Sequence, residues 1–159
     1  FLDSMDTEIE GSATFEWLAD AFLVMRSRWE DDSTQEFVFG RNDARDAYVT
    51  FSHDSRGVCR VFATSFADGE WTLLREDPDF HQRIVMRVQP DRIDMRADAS
   101  EDAGQTWRKD LDYIFNRRRD DPRNVALHRT SIGIAGGQLD ACAGAARALL
   151  ERLAVWPTE

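Results

Sequence analysis

The sequence predicts an all-β fold: an antiparallel up-and-down barrel of about nine strands, followed by a C-terminal α-helix. Three observations support this prediction. Short segments alternate apolar and polar residues, turn residues separate them, and the spacing becomes helical near the C-terminus. A long meander has to close on itself, because an open one leaves unpaired edges. A barrel of this size can hold one small ligand.

The alternating segments are short and occur one after another. They cover Thr7–Leu18, Ala21–Glu30, Glu36–Gly40, Asp46–His53, Val58–Phe66, Trp71–Glu76, Phe80–Gln89, Arg92–Ala97 and Thr106–Asn116. Turn residues such as Asp68-Gly69 and Asp77-Pro78-Asp79 stand between them. Asp-Gly favours a two-residue hairpin because both positions tolerate positive φ.

The pattern predicts a barrel domain over residues 1–117, a charged linker over 118–137 and an amphipathic helix over 138–156. The helical stripe consists of Leu139, Cys142, Ala143, Ala146, Leu149, Leu150 and Leu153, and Pro157 ends it. We expect this helix to pack on the barrel or to close its mouth. A partner-binding helix and a non-native tail remain alternatives.

Composition narrows the classes of partner. The net charge of −10 argues against nucleic acid and against an anionic membrane, because both require a basic surface. The two cysteines, Cys59 and Cys142, do not form a disulfide framework, which favours a cytoplasmic location. The chain starts at Phe1 without Met, so we expect that residues are missing upstream or that the start was processed.

The middle of the chain resembles a family of small bacterial domains of unknown function with a lipocalin-like (calycin-type) barrel. The resemblance covers about residues 11–117. The matching stretches are Gly11–Leu18, Phe22–Ser27, Asp54–Val58, Trp71, Phe80–Arg83 and Ser100–Trp107. It implies the fold but no activity. Family members have a further strand before the Gly11 region, so its absence here predicts an open barrel edge.

Polar residues on otherwise apolar strand faces are the candidate ligand-binding groups. Arg60 alternates with Phe62 and Thr64, while Arg75 alternates with Trp71 and Leu73. An inward arginine can bind a carboxylate or phosphate. The predicted ligand-binding set is Met25, Tyr48, Arg60, Phe62, Trp71, Arg75 and Gln82. The structural alternatives are ordinary core packing for the apolar members, an ion pair or a surface position for the arginines, and a buried hydrogen bond for Gln82.

Other candidates for chemistry are weaker. His53-Asp54-Ser55 cannot form a nucleophile triad, because adjacent residues on a strand point in opposite directions. Asp77, Asp79 and His81 have the spacing of metal ligands on one extended face, but Pro78 interrupts it. None of the histidines lies in a segment that matches a haem ligand. We therefore expect no metal ion, no haem or other cofactor, and no catalytic residue.

The function expected from the sequence is the binding of a small, partly apolar molecule, either neutral or anionic, without catalysis. The alternative is a structural or interaction protein that forms a homodimer through an open barrel edge or through the C-terminal helix. An enzyme with a His or Asp inside the barrel is a third hypothesis, and no acid–base pair in the sequence supports it.

Overall fold

The computed structural model describes residues 9–117, which form one nine-stranded antiparallel sheet. Strand order in the sheet follows the order in the chain. The strands are β1 Gly11–Leu18, β2 Phe22–Trp29, β3 Thr34–Asn42, β4 Ala47–Asp54, β5 Cys59–Ala67, β6 Glu70–Asp77, β7 Phe80–Val88, β8 Arg92–Ser100 and β9 Arg108–Asn116.

The structure confirms the all-β meander and all nine predicted strands. Their observed ends differ from the predicted ones by a few residues; β8, for example, continues to Ser100 rather than Ala97. Within residues 9–117 the only helical segment is a short 3₁₀ turn, Asp43–Arg45. The predicted linker at 118–137 and helix at 138–156 lie outside the described residues. Over the described range, no helix is long and apolar enough to cross a membrane.

Tight turns hold the meander in register. Asp68 and Gly69 join β5 to β6 with φ values of 52° and 78°, as a hairpin turn with two left-handed residues requires. Pro78 and Asp79 join β6 to β7, and the paired residues Asp77 and Phe80 flank them. Each turn therefore connects two strands that pair with each other.

The sheet curls into a nearly closed barrel with a seam between β1 and β9. The rings of Trp29 on β2 and Tyr113 on β9 lie 5.6 Å apart, which brings the two sides of the sheet together. Because the strand count is odd, β1 and β9 run in the same direction. They cannot form the antiparallel ladder that joins all the other neighbours, and the ladder ends at the seam.

Alternate side chains point into the barrel and form its core. On β5, for instance, the inward side chains of Phe62 and Thr64 are buried. Val61, which precedes Phe62 and points outward, is 57% exposed. The outer face carries ion pairs, such as Arg26 with Glu36, at positions that solvent reaches. Exposed pairs of this kind contribute little to stability. The fold therefore depends on the filled interior.

Candidate functional site

One end of the barrel interior is lined by aromatic rings, and we call it the aromatic end. It consists of Phe39, Tyr48, Phe66 and Trp71, which lie late in β3, early in β4, late in β5 and early in β6. Neighbouring strands run in opposite directions, so these positions meet at the same end. The Trp71 ring packs edge-to-face against Phe66, at a centroid distance of 4.5 Å, and against Phe39, at 4.8 Å. Such contacts suit core packing.

The opposite end of the interior is polar, and we call it the polar end. Its inward side chains are Ser27, Ser52, Arg60, Arg75 and Gln82, from the ends of β2, β4 and β6 and the starts of β5 and β7. Arg60 is half-buried, and the other four are buried. Buried polar groups need partners, so their hydrogen bonds indicate which of them can still bind a ligand.

The guanidinium of Arg75 binds residues of the β6–β7 turn. Its Nε lies 2.8 Å from a carboxylate oxygen of Asp77, and one Nη lies 2.6 Å from Asp79. The other Nη donates to the carbonyl oxygen of Phe80 at 2.9 Å. The guanidinium also lies over the Phe80 ring, 4.6 Å from its centroid. Arg75 therefore holds the β6–β7 turn in place and has little capacity left for an anion.

Arg60 differs from Arg75 in having no ion-pair partner. Across residues 9–117, no carboxylate oxygen lies within 4 Å of its guanidinium, and its one hydrogen bond goes to Oε1 of Gln82 at 3.4 Å. The Phe80 ring lies on one side, 5.2 Å away. Burial, reinforced by the charges of Arg75 and Arg56, lowers the pKa of Arg60 from its ordinary value. A half-buried cation with unused N–H donors is suited to binding an anion.

The orientation of Gln82 is fixed from its far side. Its Nε2 donates to Oδ2 of Asp110 at 2.9 Å, which leaves Oε1 facing Arg60. Asp110 is the extra residue of a β-bulge, because Ala97 pairs with Leu111 while Asp98 pairs with Lys109. The bulge thus links β5, β7 and β9 through one polar chain of three side chains. Sequence reasoning missed Asp110, since simple alternation does not reveal a bulge.

Ser27 is a further inward polar group at this end. Its hydroxyl is buried on the inner face of β2, and it makes no hydrogen bond within the part of the chain that the structure describes. An unsatisfied buried hydroxyl is unfavourable. Ser27 was not among the predicted site residues, although its alternation with Leu23 and Met25 could have indicated an inward position.

The structure distributes the seven predicted ligand-binding residues over three levels of the barrel. Tyr48 and Trp71 lie at the aromatic end, where Tyr48 packs on Phe66 at 4.6 Å. Met25 and Phe62 are 1% exposed and belong to the core between the two ends. Arg60, Arg75 and Gln82 share the polar end, and this is the subset that the fold brings together.

The weaker candidates have structural roles. The Asp54 carboxylate accepts hydrogen bonds from the backbone and side chain of Arg56, which fixes the β4–β5 turn. Asp77 and Asp79 bind Arg75. No group of three metal-binding side chains occurs among the described residues.

A broad depression of about 400 Å³ lies beside the β8–β9 turn. Its walls are held by the turn itself: the hydroxyl of Ser100 donates to Asp102 at 2.7 Å, and the backbone N–H of Thr106 donates to the same carboxylate at 2.8 Å. The hydrogen bond from the Thr106 hydroxyl, followed by those from the Thr106 N–H and the Ser100 hydroxyl, lowers the pKa of Asp102 from 3.8 to about 2. Because its polar groups are satisfied within the turn, this depression offers less chemistry than the polar end.

No protein-family model matches this chain, and neither a curated protein nor a solved structure is significantly similar to it. The geometry of the site therefore carries the functional argument alone.

Proposed function

We propose that this protein is a lipocalin-like, calycin-type binding protein that takes a small, partly apolar anion at the polar end of its barrel. The observation that carries the proposal is the half-buried guanidinium of Arg60, which has no carboxylate partner among residues 9–117. An anion would supply the charged partner that the described residues do not provide. The proposal includes no catalytic step, and a cytoplasmic location remains part of it as a prediction.

The surroundings of Arg60 favour an anion that also has an apolar part. The ring of Phe80 lies beside the guanidinium and is only partly buried, whereas Phe62 and Ile84 on the same inner faces belong to the packed core. The hydroxyl of Ser27, which has no partner among the described residues, adds a donor at the same end of the barrel. Arg60 and Phe80 would contact a molecule with one charged end and an apolar part.

Native mass spectrometry of gently purified protein tests this function directly. We expect extra mass that leaves on mild activation from the wild-type chain and is lost from the Arg60→Gln variant. Arg87→Gln is the matched control, because Arg87 is exposed and binds Glu70 on the outer face at 2.9 Å. Adduct retained by Arg60→Gln as fully as by wild type would refute the assignment of the site.

A second candidate function is dimerisation through β1, and the contrast between the two edge strands favours it. β9 carries a bulge and the charged residues Lys109, Asp110 and Asp112, which are devices that prevent strands from adding to an edge. β1 pairs continuously with β2, contains no proline, and has Glu16 as its one charged residue. Of the two edges, β1 is the one less protected against pairing with another strand.

The hydrogen bonds of β1 show how to test this second candidate. The carbonyl groups of Glu10 and Leu18 point toward β2, so the backbone groups of odd-numbered residues face the open edge. Ala13→Pro removes one edge-facing N–H and leaves the β1–β2 ladder intact. We expect dimers in the wild-type native mass spectrum and monomers for Ala13→Pro. Monomers in both samples would reject dimerisation through β1.

A further inference from the structure

The polar chain from Arg60 to Asp110 contains a second charged group that forms no ion pair with the described residues. The carboxylate of Asp110 accepts a hydrogen bond from Gln82. No cation of the described residues lies within 4 Å of it, because neighbouring Lys109 pairs with Asp112 at 3.0 Å. A cation and an anion, each without an ion-pair partner, thus face each other across one amide side chain.

This arrangement determines how the Gln82 amide is oriented and which charges surround Arg60. A carboxylate can only accept hydrogen bonds, so Asp110 binds the N–H of the Gln82 amide. The amide oxygen is therefore held toward Arg60 and accepts from one of its N–H groups. Four charged groups act on Arg60: Arg75 and Arg56 oppose the charged guanidinium, whereas Asp54 and, less strongly, Asp110 favour it. Arg75 and Arg56 already form ion pairs with the carboxylates of their turns, so Asp110 is the charge among them that no cation of the described residues neutralises. One negative charge on a ligand would be balanced by Arg60, whereas a second would be repelled by Asp110.

We infer that Asp110 is a specificity-determining residue that makes the Arg60 site select singly charged anions, such as carboxylates, over doubly charged ones, such as phosphate monoesters. This inference rests on the proposed function. Asp110 has a positioning and electrostatic role and does not contact the ligand itself. Asp110 lies in the bulge of β9, beside the open seam. The bulge brings its carboxylate to Gln82, which regular alternation along the strand would not predict.

A pair of probes that share one ring tests the inference. Benzoate carries one negative charge, and phenyl phosphate carries close to two at pH 7.5. Isothermal titration calorimetry of the full chain gives the ratio of their dissociation constants. We expect wild type to prefer benzoate, and Asp110→Asn to shift the ratio toward phenyl phosphate by roughly five-fold, as expected for one unit charge at about 8 Å near a surface.

Two further variants distinguish the effect of the Asp110 charge from a structural effect of substitution in β9. Asp110→Glu keeps the charge and should keep a ratio close to that of wild type. Asp112→Asn removes a charge two residues along the same strand, where the carboxylate is exposed and bound to Lys109, and should leave the ratio unchanged. Asn at position 110 keeps an acceptor oxygen for the Gln82 amide, so folding should be preserved.

The outcomes distinguish the inference from the function on which it rests. If both probes bind wild type through Arg60 and their ratio is the same in Asp110→Asn, the role of Asp110 is refuted while the anion site stands. If phenyl phosphate binds wild type more tightly than benzoate, the inferred selectivity is likewise refuted. If neither probe binds wild type and no adduct co-purifies, both the inference and the proposed function fail.

Discussion

The aromatic end and the polar end of the barrel are built from the same strands, but their inward groups are satisfied to different degrees. At the aromatic end Trp71 contacts two further rings at less than 5 Å, and the adjacent buried hydroxyls of Thr50 and Thr64 hydrogen-bond to each other at 2.7 Å. At the polar end, within residues 9–117, Arg60 lacks a counter-charge and Ser27 lacks a hydrogen-bond partner. The inward groups of the aromatic end are therefore satisfied by packing, whereas the polar end retains groups that the described residues leave unsatisfied, and we propose that these groups bind a ligand.

The largest expected effect comes from breaking the aromatic end. Trp71→Ala should lower the free energy of unfolding by about 3–5 kcal/mol, because it removes a large buried side chain and leaves a cavity between Phe39 and Phe66. Urea denaturation followed by circular dichroism measures this. The control, Phe51→Ala, lies on the outer face where the ring is 41% exposed, and should cost far less. Equal losses for the two variants would contradict the assignment of the core.

The two arginines of the polar end should differ in their effect on stability. Arg75→Met removes a buried guanidinium that binds Asp77, Asp79 and the Phe80 carbonyl oxygen, and should cost about 1–3 kcal/mol. Arg60→Met removes a cation with no carboxylate partner and should be close to neutral or stabilising. Thermal denaturation of both variants checks the order. A larger loss for Arg60→Met would show that Arg60 is the structural residue.

Two buried serines give a smaller and equally direct contrast. The hydroxyl of Ser100 bonds to Asp102 and to the N–H of Gly104, at 2.7 and 2.8 Å, so Ser100→Ala should cost about 1 kcal/mol. Ser27 has no partner within the described chain, so Ser27→Ala should change the free energy of unfolding by less than about 0.5 kcal/mol. A loss at Ser27 as large as that at Ser100 would mean that Ser27 has a partner in the native protein.

The smallest effect is a pH dependence in the β8–β9 turn. Hydrogen bonds from Thr106 and Ser100 lower the pKa of Asp102 to about 2, compared with 3.8 for an unperturbed carboxyl. Its contribution to stability is therefore complete above about pH 5 and is lost as the pH falls through 3.8 and then through about 2. Asp102→Asn should flatten the stability profile in this window alone. If the stability of Asp102→Asn depended on pH as that of wild type does, the hydrogen bonds assigned to Asp102 would be contradicted.

Much of the fold could be predicted from the sequence, because strand alternation and turn chemistry act locally. The Asp68-Gly69 hairpin and the nine strands depend on neighbouring residues alone, and the structure confirms them. The period of two left the inward position of Arg60, Arg75 and Gln82 as one of two alternatives, and the structure places all three on the inner face. The predicted linker and helix beyond residue 117 stay predictions.

The candidate site could be predicted only in part, because its character depends on contacts between distant strands. Arg60 and Arg75 look equivalent in the sequence, and the difference arises from two carboxylates in the turn after Arg75. The pattern Arg75, Asp77, Asp79 around a proline is a signal that could have revealed this. The position of Asp110 depends on a bulge, which requires the register of β8 against β9. No local pattern specifies that register.

We propose above all that the polar end binds a small anion through Arg60. The most direct measurement is a titration of ¹⁵N-labelled protein with benzoate, followed by the backbone amide and arginine side-chain signals. We predict saturable shifts at Ser27, Arg60 and Gln82, with little change at Trp71, and loss of these shifts in Arg60→Gln. Shifts centred on Trp71, or shifts that persist in Arg60→Gln, would contradict the assignment of binding to the polar end.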